Sequence, residues 1–130
     1  MKFRIYVYFT ENSKMNNTQR KYTDLVRICI PGIDISYTKQ YIARMVMKIG
    51  IIKYIAEIPL KTNNRMKRVI LYISPNKNSS EYQYIHNRFE SGMDVKLFYA
   101  GDLGEKPLFW KIAPFDVRSE KFVESYIKHF

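Results

Sequence analysis

Residues 25–58 read LVRICIPGIDISYTKQYIARMVMKIGIIKYIAEI, and the order of elements within this stretch decides the fold. Residues 25–30, LVRICI, carry β-branched and aliphatic side chains and predict a strand, closed by Pro31-Gly32. Ser36 is a suitable helix N-cap. Beyond it Ile42, Met45, Val46 and Ile49 fall at i, i+3, i+4 and i+7, which is one apolar helical face, and Lys39, Arg44 and Lys48 lie away from it. Gly50 stands where a helix-terminating glycine belongs. Residues 51–58, IIKYIAEI, predict a second strand, ended by Pro59.

Working outward toward the C-terminus, residues 60–67, LKTNNRMK, predict a basic loop or hairpin connection. Residues 68–73, RVILYI, predict a strand ended by Ser74-Pro75. Asn78, Ser79 and Ser80 offer caps for a second helix, and Ser80 with Gln83 fits a capping box. Tyr82, Ile85 and Phe89 give that helix an apolar stripe, and Gly92 ends it. Residues 94–99, DVKLFY, predict another strand. The order is strand, helix, strand, strand, helix, strand, which interleaves two split βαβ units into an antiparallel sheet with both helices on one face. The fold class is α+β, of ferredoxin-like βαββαβ type.

The flanks add to this core. Residues 3–9 alternate and predict an extra N-terminal strand, followed by a polar linker through residue 21. Residues 107–115, PLFWKIAPF, hold a short strand-like aromatic run. Residues 119–130 predict a terminal helix with Phe122, Val123, Tyr126, Ile127 and Phe130 on one stripe and Glu124 and Lys128 paired at i, i+4. The organisation is thus an N-terminal strand and linker over 1–21, a domain over 22–100, and a C-terminal extension over 101–130 that packs on it.

Composition bounds the chemistry. The chain has 130 residues, 46% of apolar type, which is enough for one core without disulfide or metal. Its single cysteine, Cys29, cannot form an internal disulfide and fits a reducing interior. No signal peptide and no membrane-spanning stretch are expected. Against 12 Asp and Glu stand 22 Lys and Arg, a net charge of +10. Such an excess attracts polyanions, and a basic protein-docking surface is the other reading.

The element order over 25–100 resembles an RNA recognition motif (RRM) domain. The residues Ile28-Cys29-Ile30-Pro31-Gly32-Ile33 are similar to the first strand motif of that family, with Cys29 at its aromatic position. Arg65-Met66-Lys67-Arg68-Val69-Ile70-Leu71-Tyr72 is the register that best resembles the second, with Lys67 and Val69 at the two exposed aromatic positions. Those aromatics stack on bases in the family. Further pieces, Ile30-Pro31-Gly32, Lys48-Ile49-Gly50-Ile51-Ile52, Lys96-Leu97-Phe98-Tyr99 and Pro107-Leu108-Phe109-Trp110, resemble small RRM-like proteins of large nucleocytoplasmic (giant) DNA viruses. This resemblance implies a viral protein of the host cytoplasm, viral factory or virion.

Two function classes follow. In the first, RNA or DNA is bound mainly through phosphates by Lys61, Arg65, Lys67, Arg68 and Lys111, with Tyr54, Tyr99, Phe109 and Trp110 as candidates for stacking. In the second, Cys29, Val69 and Leu71 form an aliphatic open sheet face that must be covered by a terminus, by a second copy in a homodimer, or by a viral protein partner. Enzyme readings are weak. His86 and His129 have no carboxylate or cysteine cluster nearby, Glu11 has no second carboxylate, and Gly101-Asp102-Leu103-Gly104 reads as a turn and not a phosphate cradle. No catalytic residue, metal, cofactor or small-molecule substrate is expected.

Overall fold

A computed structural model describes residues 24–99 and 108–130. The expected strand over 3–9 and the linker after it lie outside these residues. The described chain runs β1 (Val26–Asp34), α1 (Lys39–Val46), β2 (Gly50–Pro59), β3 (Met66–Pro75), α2 (Ser80–Glu90), β4 (Val95–Tyr99) and β5 (Leu108–Pro114). A 3-10 turn (Val117–Ser119), the one-turn α3 (Glu120–Val123), a second 3-10 turn (Glu124–Tyr126) and β6 (Ile127–His129) complete it. The architecture is α+β, built on a six-stranded antiparallel sheet in the order β4-β5-β1-β3-β2-β6, and is compatible with a ferredoxin-like fold.

Local chemistry accounts for the elements. Thr38, and not Ser36, caps α1, its side chain accepting the Tyr41 N–H at 3.1 Å. Ser36 instead donates to the Asp34 carboxylate at 2.6 Å. Ser79 caps α2 through the Tyr82 N–H at 3.2 Å. At the other end Met93 N–H reaches the Arg88 carbonyl at 2.8 Å and Gly92 N–H the Phe89 carbonyl at 3.0 Å. That 6→1 and 5→2 pattern needs a left-handed residue, and Gly92 supplies it with φ 73°.

Gly50 does not end a helix, because α1 stops at Val46 and Gly50 opens β2. Its lack of a side chain is used differently. A Cβ there would collide with the Ser74 carbonyl oxygen and crowd the Ile73 side chain and Pro75. Pro31-Gly32 does not close β1 either. The strand runs through it, and the register with β3 shifts between Ile30 and Ile33, as a bulge allows where proline cannot donate.

Both helices cover one face of the sheet. Ile42 and Val46 of α1 and Tyr82, Ile85 and Phe89 of α2 pack on Val26, Ile28, Ile30, Ile52, Ile55, Val69, Leu71, Val95, Trp110 and Ile112. The expected terminal helix is a correction: residues 117–130 form one turn of helix between two 3-10 turns and then a strand. Val123 and Ile127 turn inward onto the second sheet face, and Phe122 is 84% exposed. From there the chain reaches the free edge of β2, where Ile127, Lys128 and His129 pair with Ala56, Ile55 and Tyr54. The edge hydrogen bonds gained there are ones that a continuous helix would forgo.

The spatial order holds a second correction. β5, and not β4, lies beside β1, through Cys29 opposite Ala113 and Ile28 opposite Pro114. β4 is displaced to the sheet edge, where it pairs with β5 over Val95–Tyr99. The aromatic run at 108–115 therefore supplies an interior strand.

Candidate nucleic-acid interface

Residues on the second face alternate with those under the helices. Cys29 stands opposite Ile70 and Arg27 opposite Tyr72 in the β1–β3 ladder, and Tyr54 stands opposite Tyr72 across β2–β3. A second apolar cluster forms here from Ala56, Ile70, Tyr72, Phe115 and Val123, with Cys29, Tyr54, Ile58 and Ile127 against it. The C-terminal segment is the cover. It is fastened by an ion pair in which the Arg27 side chain donates to both Glu120 carboxylate oxygens, at 2.6 and 3.4 Å, and to the Leu25 carbonyl at 3.2 Å. Both side chains are 1% exposed, and the guanidinium lies 5.5 Å from the Tyr72 ring centre. Two donors meeting two acceptors is the geometry in which a buried pair offsets its desolvation.

The expected aliphatic binding surface is corrected by this arrangement. Val69 and Leu71 are fully buried under the helices, and Cys29 alone of the three lies on the second face, half-buried. The sequence register was off by one residue, and a shift of one moves every side chain to the opposite face. The β3 residues that face this side are Arg68, Ile70 and Tyr72. Ile70 packs beneath the C-terminal cover, while Arg68 is exposed.

The remaining candidates divide. Lys61 and Arg65 are exposed in the β2–β3 connection. Lys67 is not with them. Its side chain is 9% exposed and donates to the Tyr37 carbonyl at 2.6 Å and the Glu57 carboxylate at 2.7 Å, so it is committed inside the fold. Trp110 is buried under the helices, edge-on to Tyr37 and Tyr41 at 5.4 and 6.1 Å, and offers no stacking surface. Tyr54 is half-buried against Tyr72 and His129. Tyr99 and Phe109 lie in the β4–β5 ladder, and their side chains fall outside the described set. His86 lies 3.9 Å from Glu90.

Among the described residues, the part of the second face beyond the C-terminal segment is basic. Lys111 follows the same alternation as Ala113, and it is exposed, 3.1 Å from the Asp94 carboxylate. Lys96 stands directly opposite Lys111 in the β4–β5 ladder. Arg68 lies two strands over, beyond β1, and the connection carrying Lys61 and Arg65 continues from it. Cys29 sits at the margin of this region. Burial pushes its thiol from 9.0 up to about 11, with the charge of Arg68 pulling the other way. At the same end, hydrogen bonds from Ser36 hold the Asp34 carboxyl below its ordinary value, helped by Arg65 and Lys67.

Sequence reasoning missed Arg27, Glu120 and Lys96. The alternation of LVRICI did hold a signal, since Arg27 and Cys29 share one side of a strand whose other side is Val26, Ile28 and Ile30.

Comparison of the chain with protein-family models, with curated proteins and with solved structures finds no match. Among the described residues no helix is long and apolar enough to cross a membrane, and no group of three metal-ligating side chains converges.

Proposed function

We propose that this protein binds nucleic acid without catalysis, holding RNA or DNA by its phosphates on the basic part of the second sheet face. The observation that carries this reading is the cross-strand pair Lys96 and Lys111, on a surface that continues through Arg68 to Lys61 and Arg65. Like charges directly opposite one another in a ladder weaken a sheet. Asp94 offsets part of the charge of Lys111, and a polyanion laid across the two lysines adds phosphate contacts and releases counterions. The family reading that accompanies it is an RRM-like scaffold of the kind found in large nucleocytoplasmic DNA viruses. Here Cys29, Arg68 and Ile70 line the face on which that family stacks bases, so binding is tolerant of sequence and driven by charge.

The self-association reading loses the surface it was built on, because Val69 and Leu71 are interior and the chain's own C-terminal segment covers Ile70 and Tyr72.

Fluorescence anisotropy with labelled oligo-uridine and oligo-thymidine tests the proposal. Phosphate contacts from Lys61, Arg65, Arg68, Lys96 and Lys111 give a log–log salt slope of about −3.5 on a single strand. Arg68→Glu with Lys111→Glu should reduce affinity at least about tenfold and flatten the slope by more than about 1. Affinity that is indifferent to salt, or unchanged in that double variant, overturns the reading.

A further inference from the structure

The opposite side of the molecule carries a groove that the nucleic-acid reading does not use. It lies between the C-terminal end of α1, the outer side of α2 and the edge strand β4, with a volume of about 360 Å³. That is within the range of about 300–1,000 Å³ usual for binding clefts. Its floor is apolar, made by Ile49, Ile85, Val95 and Leu97. Its walls are Met47 and Tyr84, which are 67% and 56% exposed. Large apolar side chains left in water beside an apolar floor mark an interaction site, and methionine adapts its shape to a partner.

The charge around the groove identifies the occupant. The Arg44 and Lys48 side chains border it, against the single carboxylate of Glu81. That carboxylate is already engaged. It accepts hydrogen bonds from the Ser79 and Ser80 hydroxyls, each at 3.2 Å, and lies 4.0 Å from Lys48. A third cation, Arg88, sits over the Tyr84 ring at 5.7 Å. The field over an apolar cleft is therefore positive. We infer that this groove docks an acidic peptide segment of another protein, one that places leucine or phenylalanine side chains on the floor and carboxylates against Arg44 and Lys48. The chain's own first residues, with Lys2 and Arg4, have the wrong sign, and a second copy brings a net +10. Like-charge contact of that kind disfavours both.

The test uses the full chain and a short fluorescein-labelled synthetic peptide alternating Glu with Leu and Phe, beside the same peptide with Lys in place of Glu. The acidic peptide should bind in the micromolar range or tighter and the basic one at least about tenfold more weakly. Arg44→Glu with Lys48→Glu, and separately Met47→Asp, should each weaken binding about tenfold or more. All three side chains are at the surface, and circular dichroism checks that the variants remain folded. Arg68→Glu, on the other face, should leave peptide affinity unchanged while lowering oligonucleotide affinity, so the two sites fail separately. Equal binding of both peptides overturns the inference, as does affinity that survives the groove variants. Amide shifts centred on the second sheet face, or a dimer by sedimentation that Met47→Asp dissociates, would also overturn it.

Discussion

The two faces of the sheet are both covered, but by different means. Beneath the helices the cover is continuous and aliphatic, and it comes from segments whose sequence period announces it. On the other face a short irregular segment is held by one buried ion pair, a few side chains and the short β6 ladder on β2, and among the described residues it leaves a basic strip beside it. The contrast is sharpest along β3, where Ile70 and Leu71 are neighbours in sequence and point in opposite directions, both with no exposed surface. A helix can bury an apolar sheet face by periodicity alone. A segment with one helical turn needs a specific fastener, and Arg27 with Glu120 provides it.

Breaking the fastener should give the largest effect. Glu120→Ala leaves the Arg27 guanidinium buried without its carboxylate, and the expected loss is about 3–5 kcal/mol. Urea denaturation followed by tyrosine and tryptophan fluorescence measures it. Replacing both members together, Arg27→Met with Glu120→Leu, should restore most of that loss. If the single and the double replacement destabilise equally, the pair is not what holds the segment down.

The next comparison lies between the two β3 neighbours. Leu71→Ala and Ile70→Ala should each cost about 2–5 kcal/mol, since each removes a fully buried side chain. Removal of residues 116–130 should separate them. It uncovers the second face, so in the shortened chain Ile70→Ala should cost less than about 1 kcal/mol while Leu71→Ala keeps its full effect. Equal costs in the shortened chain would mean that the cover contributes little to the packing around Ile70.

How much of this was legible in the sequence follows from the same contrast. The existence of a helix after Ser36, the strand over 51–58 and the glycine stop at Gly92 are local and set by periodicity and turn residues, whereas the ends of that helix fall at Thr38 and Val46 and not at Ser36 and Gly50. The register of β3 was not local. RVILYI is apolar at almost every position, because both of its faces are buried, so alternation gave no signal to separate Lys67, Val69 and Leu71 from Arg68, Ile70 and Tyr72. The stripe at 122–130 fitted a helix in isolation, and the free edge of β2 took its end as a strand. The insertion of β5 between β4 and β1 depends on pairings across some eighty residues, from Cys29 to Ala113. For the site, Arg68 and Lys111 were readable as exposed cations. Lys67 was not, since its partners Tyr37 and Glu57 are brought to it only by the fold.

The smallest effect is the most local, and it reports on the border between the covered part of the second face and the basic strip. Burial raises the Cys29 thiol from 9.0 to about 11. Between those two values the unfolded chain releases the thiol proton and the folded chain keeps it, so stability falls as pH rises. The decline is about 1.4 kcal/mol per pH unit and reaches at most about 3 kcal/mol. Subtracting the pH profile of Cys29→Ala from that of the unsubstituted protein isolates it from other titrations. Below pH 9 the two curves should run parallel. The same shift makes the folded thiol slow to react. At pH 8 its thiolate fraction, and with it the rate of iodoacetamide alkylation, should be about a hundredfold below that of the unfolded chain. Arg68 is the group that opposes burial here, so Arg68→Ala should slow alkylation further. An oligonucleotide occupying the basic strip neutralises the same charge and shields the thiol, and should act in the same direction. An oligonucleotide that binds but leaves the Cys29 alkylation rate unchanged would place the nucleic-acid contact away from Arg68.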